Sequence, residues 1–159
     1  MGATQHSVDF SMGTFLPLPD PPPLFPEGSD DLDQREGVES GRATRVIVID
    51  DETRISSTLV EILRGEGFEA VAASTGEEAL GLARDFRPDV VLSDVIIPGL
   101  NGVEVGIQLR SMFPKCRVIL FSGQAATLDL LKDARARGHE FEILAKPIKP
   151  AALLSIIRR

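Results

Sequence analysis

The chain has 159 residues, 43% hydrophobic and 26% charged, with a net charge of −7, which is apolar material for one domain with a real core and little more. One cysteine, Cys116, excludes an internal disulfide and a cysteine-based zinc cluster, and His6 and His139 leave little for a histidine-rich metal site. No run approaches the roughly 18 consecutive apolar residues of a membrane span, and no basic-then-apolar order marks a secretory signal, so a cytoplasmic protein without a membrane partner is expected.

The charge is unevenly placed. Residues 1–42 carry 8 acidic and 2 basic side chains, whereas residues 43–159 are nearly neutral at −1. The first segment also holds 6 of the 11 prolines, including Pro21-Pro22-Pro23, and the acidic run Asp30-Asp31-x-Asp33. It has no helical or strand period and too little apolar surface to offset its ordering entropy, so residues 1–42 read as a disordered tail. Residues 43–159 read as the folded domain. Lacking a cluster of Lys and Arg, that domain is not expected to contact nucleic acid directly.

From Thr44 the pattern becomes regular. Arg45 to Ile49 is a β-branched run of the kind that forms a fully buried strand. Ile55, Leu59, Ile62 and Leu63 recur at helical spacing until Gly65 and Gly67 end the element. Phe68 to Ala73 predicts a second strand. Ser74-x-x-Glu77 has the form of a capping box, opening a helix whose inner side carries Ala79, Leu80, Leu82 and Ala83. Arg87-Pro88 breaks that helix, and Val90-Val91-Leu92 is a third strand. A loop with Pro98, Gly99, Asn101 and Gly102 leads into a helix ending near Met112. Val118 to Phe121 is a fourth strand, Leu128, Leu130 and Leu131 mark a helix, Phe141 to Ala145 is a fifth strand, and Pro150 to Arg158 is the last helix. Five strands alternating with five helices, the strands apolar on both faces, predict an α/β fold with a doubly wound parallel sheet. Functional groups of such sheets collect at the carboxyl ends of the strands.

The residues at those ends are unusual as a set. Asp50-Asp51-Glu52 follow the first strand, Asp94 the third, Ser122 the fourth and Lys146 the fifth. Carboxylates brought this close repel one another and raise one another's pKa unless a cation is present. Oxygen-only ligands suit Mg²⁺, which takes one or two carboxylates and keeps several waters. A carboxylate beside Mg²⁺, a lysine and a hydroxyl is a sensible acceptor for a phosphoryl group.

Val-Ile-Asp-Asp-Glu (48–52), the run from Asp89 to Gly102, Phe-Ser-Gly (121–123) and Ala-Lys-Pro (145–147), in this order and each after its own strand, resemble the receiver domain of bacterial two-component response regulators. The resemblance covers about residues 44–159. It implies a flavodoxin-like (βα)5 fold with strand order 2-1-3-4-5. It also implies that Asp94 is the phosphoacceptor and that Asp50, Asp51, Asp94 and the backbone carbonyl of Ile96 hold Mg²⁺. Ser122 then hydrogen-bonds the aspartyl phosphate, Lys146 pairs with a phosphoryl oxygen, and Pro147 shapes the adjoining loop, commonly through a cis bond. The implied donor is a phosphohistidine on a sensor histidine kinase or histidine phosphotransfer protein. The implied protein is a signalling domain rather than an enzyme, acting by phosphorylation-dependent contact with a downstream protein.

The family often carries Tyr or Phe three residues before the site lysine. Ile143 stands there, and the chain has no Tyr or Trp. Ile96 and Gln124 border the site at positions thought to tune the lifetime of the phosphate, and an apolar Ile96 cannot orient an attacking water. The sequence stops at Arg159, directly after the fifth helix, so a stand-alone receiver is expected. The runner-up is a phosphorelay intermediate that passes the phosphoryl group to another histidine. A haloacid-dehalogenase-like phosphatase fits less well: it places Asp-x-Asp after the first strand, whereas these acids are adjacent. A flavin or dinucleotide binder needs a Gly- or Ser/Thr-rich phosphate loop where this chain has three acids.

Overall fold

β1 (Arg45–Ile49) is built of residues whose branched side chains fit a pleated surface, and all but Arg45 are buried. The computed structural model describes residues 41–123 and 125–159; the expectations for the tail before Gly41 and for Gln124 lie outside the described residues. After β1 come α1 (Thr53–Gly65), β2 (Glu69–Ala73), α2 (Gly76–Phe86), β3 (Val90–Asp94), α3 (Gly102–Met112), β4 (Arg117–Ser122), α4 (Ala126–Ala136), β5 (Glu142–Ala145) and α5 (Pro150–Ile157). The five strands form one parallel sheet in the order β2-β1-β3-β4-β5, as the resemblance implied.

Alternation along each strand splits the core into two layers. Ile47, Ile49, Val91, Val118 and Leu120 face α2, α3 and α4 and meet Ala79, Val105, Leu109 and Ala134. Val46, Val48, Leu92, Ile119 and Phe121 face α1 and α5 and meet Leu59, Leu63, Leu153 and Ile156. The three central strands are buried on both faces, as predicted. The edge strands are not: β2 is half-exposed, and no residue of β5 is fully buried. An edge strand lacks a neighbour on one side, so solvent reaches its side chains whatever their periodicity. Leu82, expected on the inner side of α2, is exposed for a related reason, because Ala79 and Ala83 take the inward positions.

The capping box of α2 is shifted by one residue. Thr75, not Ser74, is the N-cap; its hydroxyl accepts from the Glu78 backbone N–H at 3.1 Å, while the Glu78 carboxylate accepts from the Ser74 N–H at 2.8 Å. Glu77 is thereby released, and its carboxylate accepts from the Leu100 N–H at 3.2 Å in the loop after β3. At the opposite end of the sheet Arg42 pairs with Asp89 at 2.9 Å, and Asp89 also accepts from the Arg45 backbone N–H at 2.8 Å.

Two glycines allow the helices to sit close to the strand ends. A Cβ on Gly102 would lie 2.1 Å from the Asp94 carbonyl oxygen, and one on Gly76 would lie 2.3 Å from Val105 Cγ2. The first brings the start of α3 against the end of β3; the second joins α2 to α3.

Candidate functional site

The parallel register puts the ends of β1, β3, β4 and β5 side by side. Asp94 pairs with Phe121, Ser122 with Ala145, and the Lys146 N–H donates to the Ser122 carbonyl at 3.0 Å. Asp50, Asp94, Ser122 and Lys146 therefore emerge on one edge because each directly ends or follows its strand.

Asp50 is 1% exposed. Its Oδ1 accepts from the Glu52 backbone N–H at 2.9 Å, and Oδ2 is buried without a hydrogen-bond partner. Burial pushes the Asp50 carboxyl above the ordinary 3.8; Asp94 and Asp51 push it the same way, while the Glu52 N–H and Lys146 pull it down. Asp51 stands exposed beside it. Carboxylate oxygens of Asp50, Asp51 and Asp94 all lie within 4.8 Å of one another.

Lys146 closes the cluster. Its Nζ donates to Asp94 Oδ2 at 2.5 Å and stands 4.0 Å from Asp50 Oδ2. Burial opposes its charge, but the hydrogen bond and charge of Asp94, with Asp50 and Glu52 behind, outweigh it and raise its pKa. Asp94 Oδ1 accepts from the Ile96 N–H at 3.2 Å, which ties the acid to its own loop. The Lys146–Pro147 bond is cis. Glu52 occupies the N-cap position of α1 and makes no side-chain cap there.

The set satisfies a simple test for a hard cation. Every donor is an oxygen, three carboxylates share a small volume with one ammonium between them, and a buried carboxylate oxygen lacks the partner that such atoms ordinarily have. Asp50, Asp51 and Asp94 are the residues that could hold the ion. Ile96, whose carbonyl the sequence reading adds to them, is an exposed residue of the same loop.

Ser122 is the residue whose partner the sequence did not indicate. Its hydroxyl lies 2.5 Å from Thr127 Oγ1 in the first turn of α4. Thr127 was missed because a lone Thr inside an apolar helical pattern reads as a neutral filler; its place five residues after Ser122 is the only cue. Glu77 was missed too, having been assigned to the capping box.

Comparison with known proteins bears on the family and the fold. The chain matches the family model of the response regulator receiver domain over residues 46–158. It is 33% identical over 116 residues to the DNA-binding response regulator MtrA of Mycobacterium tuberculosis (strain ATCC 25618 / H37Rv), covering 72% of this chain and 49% of that protein. It is 34% identical over 112 residues to a response regulator receiver protein of Anaeromyxobacter sp. (strain Fw109-5), covering 70% of this chain and 46% of that one. The chain thus spans about half the length of these relatives. Among solved structures it resembles a CheY-like receiver domain protein from Methanospirillum hungatei JF-1, with TM-score 0.66, 25% identity and coverage of 74% and 92% of the two chains. It also resembles the chemotaxis protein CheY4 of Vibrio cholerae, with TM-score 0.66, 28% identity and coverage of 74% and 98%. One of these relatives is named for DNA binding, so the expectations of a stand-alone type and of no nucleic-acid contact find no support in them. No helix among the described residues is long and apolar enough to cross a membrane.

Proposed function

This chain belongs to the response regulator receiver domain family, a family of signalling domains, and we propose that Asp94 is its phosphoacceptor and that its donor is a phosphohistidine on a sensor kinase or phosphotransfer protein. The observation that carries the reading is the Asp94 carboxylate, bonded by the Lys146 ammonium at 2.5 Å and clustered with Asp50 and Asp51. An Asp94 carboxylate oxygen attacks phosphorus, the P–N bond breaks, and its electron pair returns to the imidazole nitrogen. Lys146, already on Asp94, follows the charge onto a phosphoryl oxygen, and the Ile96 N–H keeps the carboxylate aimed. Ser122 supplies a hydroxyl donor to the phosphoryl group. Asp50, Asp51 and Asp94 would hold Mg²⁺, which when bound neutralises charge on the transferring oxygens.

Ile96 is 44% exposed beside the site. Its side chain offers no hydrogen bond to a water attacking the phosphate, which supports a long-lived phosphorylated state. The output is contact with another protein.

The test is phosphoryl transfer from a cognate kinase in the presence of Mg²⁺. Asp94→Asn is nearly isosteric and a poor nucleophile, so it abolishes labelling while the protein stays folded. Labelling that survives in Asp94→Asn overturns the assignment.

A further inference from the structure

The loop between β3 and α3 carries Ile96, whose carbonyl would join Asp50, Asp51 and Asp94 around Mg²⁺. The base of this loop is closed by the Gly102 N–H, which donates to the Val95 carbonyl at 2.8 Å. The Val95 N–H in turn donates to the Phe121 carbonyl of β4 at 3.2 Å. Between those points the chain turns at Pro98 and Gly99, and Gly99 has φ +76°. Proline followed by glycine at positive φ is the pattern of a type II turn, whose next N–H often donates to the carbonyl three residues back. Here the Leu100 N–H goes instead to the Glu77 carboxylate at 3.2 Å. The turn is closed by an acceptor from another element, 23 positions away in the chain.

The surroundings of Glu77 are shaped to this contact. Thr75 and Glu78 cap the start of α2 reciprocally, which leaves the Glu77 carboxylate for the loop. Gly76 lets α2 approach closely: a Cβ there would lie 3.3 Å from both the Cβ and the carbonyl oxygen of Leu100. A Cβ on Gly99 would lie 2.9 Å from Glu77 Oε1 and 3.3 Å from Oε2, so a larger residue would crowd the carboxylate. The helix dipole favours an acid in this first turn whatever it touches. That preference does not account for glycines on both sides of the contact.

We infer that Glu77 is a positioning residue for the metal site, closing the turn at Leu100 and so setting the loop that presents the Ile96 carbonyl. Mg²⁺ demands near-ideal octahedral geometry, and a backbone carbonyl is aimed only by the torsions of its own loop. Residues that orient metal ligands in this way are worth roughly 10-fold or more in affinity. The inference rests on the reading of Asp50, Asp51, Asp94 and Ile96 as a Mg²⁺ site. It adds to them a residue of α2 that is not itself a ligand.

The experiment titrates the full chain with Mg²⁺, following amide shifts by NMR, and measures hydrogen exchange of the Leu100 amide without metal. Glu77→Ala removes the acceptor and the charge together, whereas Glu77→Gln removes the same charge and keeps an acceptor oxygen. In Glu77→Ala the Leu100 amide exchanges faster and Mg²⁺ binding weakens about 10-fold. Glu77→Gln returns both toward the wild type. Unchanged Mg²⁺ affinity in Glu77→Ala overturns the inference, leaving Glu77 a structural part only. An equal loss in the two variants overturns it as well, because charge alone then accounts for the effect. A wild type that binds no Mg²⁺, or an Asp51→Ala variant that binds it as the wild type does, overturns the metal-site reading and the inference with it.

Discussion

Asp50 shows how one atom can mark a site. A buried carboxylate oxygen without a partner is costly, and two neighbouring acids make it more so. Asp50→Asn removes a charge while keeping the acceptor for the Glu52 N–H, so it raises metal-free thermal stability, by up to about 1 kcal/mol once solvent screening is allowed for. Asp51→Ala, at an exposed position, raises it less. Mg²⁺ is expected to raise the melting temperature of the wild type and of neither variant, which a titration followed by thermal melting measures. Cys116 makes the contrasting case of a buried group outside the site. Burial, with Asp89 adding to it, pushes its thiol up to about 11, against Arg110. An unfolded thiol ionises at its ordinary 9.0, so the folded chain holds this proton more tightly. The stability this confers is complete below pH 9 and is lost as the pH rises toward 11. The wild type therefore loses stability over that interval relative to Cys116→Ala, which chemical denaturation at successive pH values measures. At neutral pH the native thiol resists alkylation.

At the scale of elements, the site depends on how near α3 comes to β3. Asn101 caps α3 by accepting from the Glu104 N–H at 3.0 Å, and Gly102 then passes under the Asp94 carbonyl. Only a residue without Cβ fits there. Gly102→Ala forces α3 away from the strand end, costing about 1–3 kcal/mol of stability. It also displaces the Asp94 backbone, so Mg²⁺ affinity falls together with the melting temperature. A variant with the wild-type midpoint would show that the two elements slide apart freely. The Glu77 carboxylate on the Leu100 N–H works on the same loop from α2, so the segment after Asp94 is fixed from both sides.

For the molecule as a whole, Gly41–Arg159 form one compact unit with two apolar layers and the cluster of Asp50, Asp51 and Asp94. We propose that the preceding residues, acidic and rich in proline, are not needed for folding or chemistry. A chain lacking residues 1–40 keeps the Arg42–Asp89 pair, melts within about 0.5 kcal/mol of the full chain, and accepts phosphate on Asp94. Loss of the fold or of Mg²⁺-dependent phosphorylation in that shortened chain would assign the segment a structural part.

The sequence by itself determined the five strands, the five helices and the edge on which the chemistry gathers. Central strands buried on both faces write themselves as unbroken apolar runs such as Val46 to Ile49, and a parallel sheet gathers the residues that follow its strands on one edge. Asp50, Asp94, Ser122 and Lys146 were legible for that reason. What only the tertiary structure decided depends on neighbours remote in sequence. The exposure of β5 comes from its place at the edge, not from its composition. The one-residue shift of the cap to Thr75 leaves Glu77 for Leu100, 23 positions away. Asp50 and Asp51 are adjacent and chemically identical, yet burial leaves an orphaned oxygen on the first and solvent around the second. The Ser122–Thr127 bond is of the same kind: two hydroxyls with no pattern of their own meet because the last residue of β4 and the first turn of α4 fold back on each other.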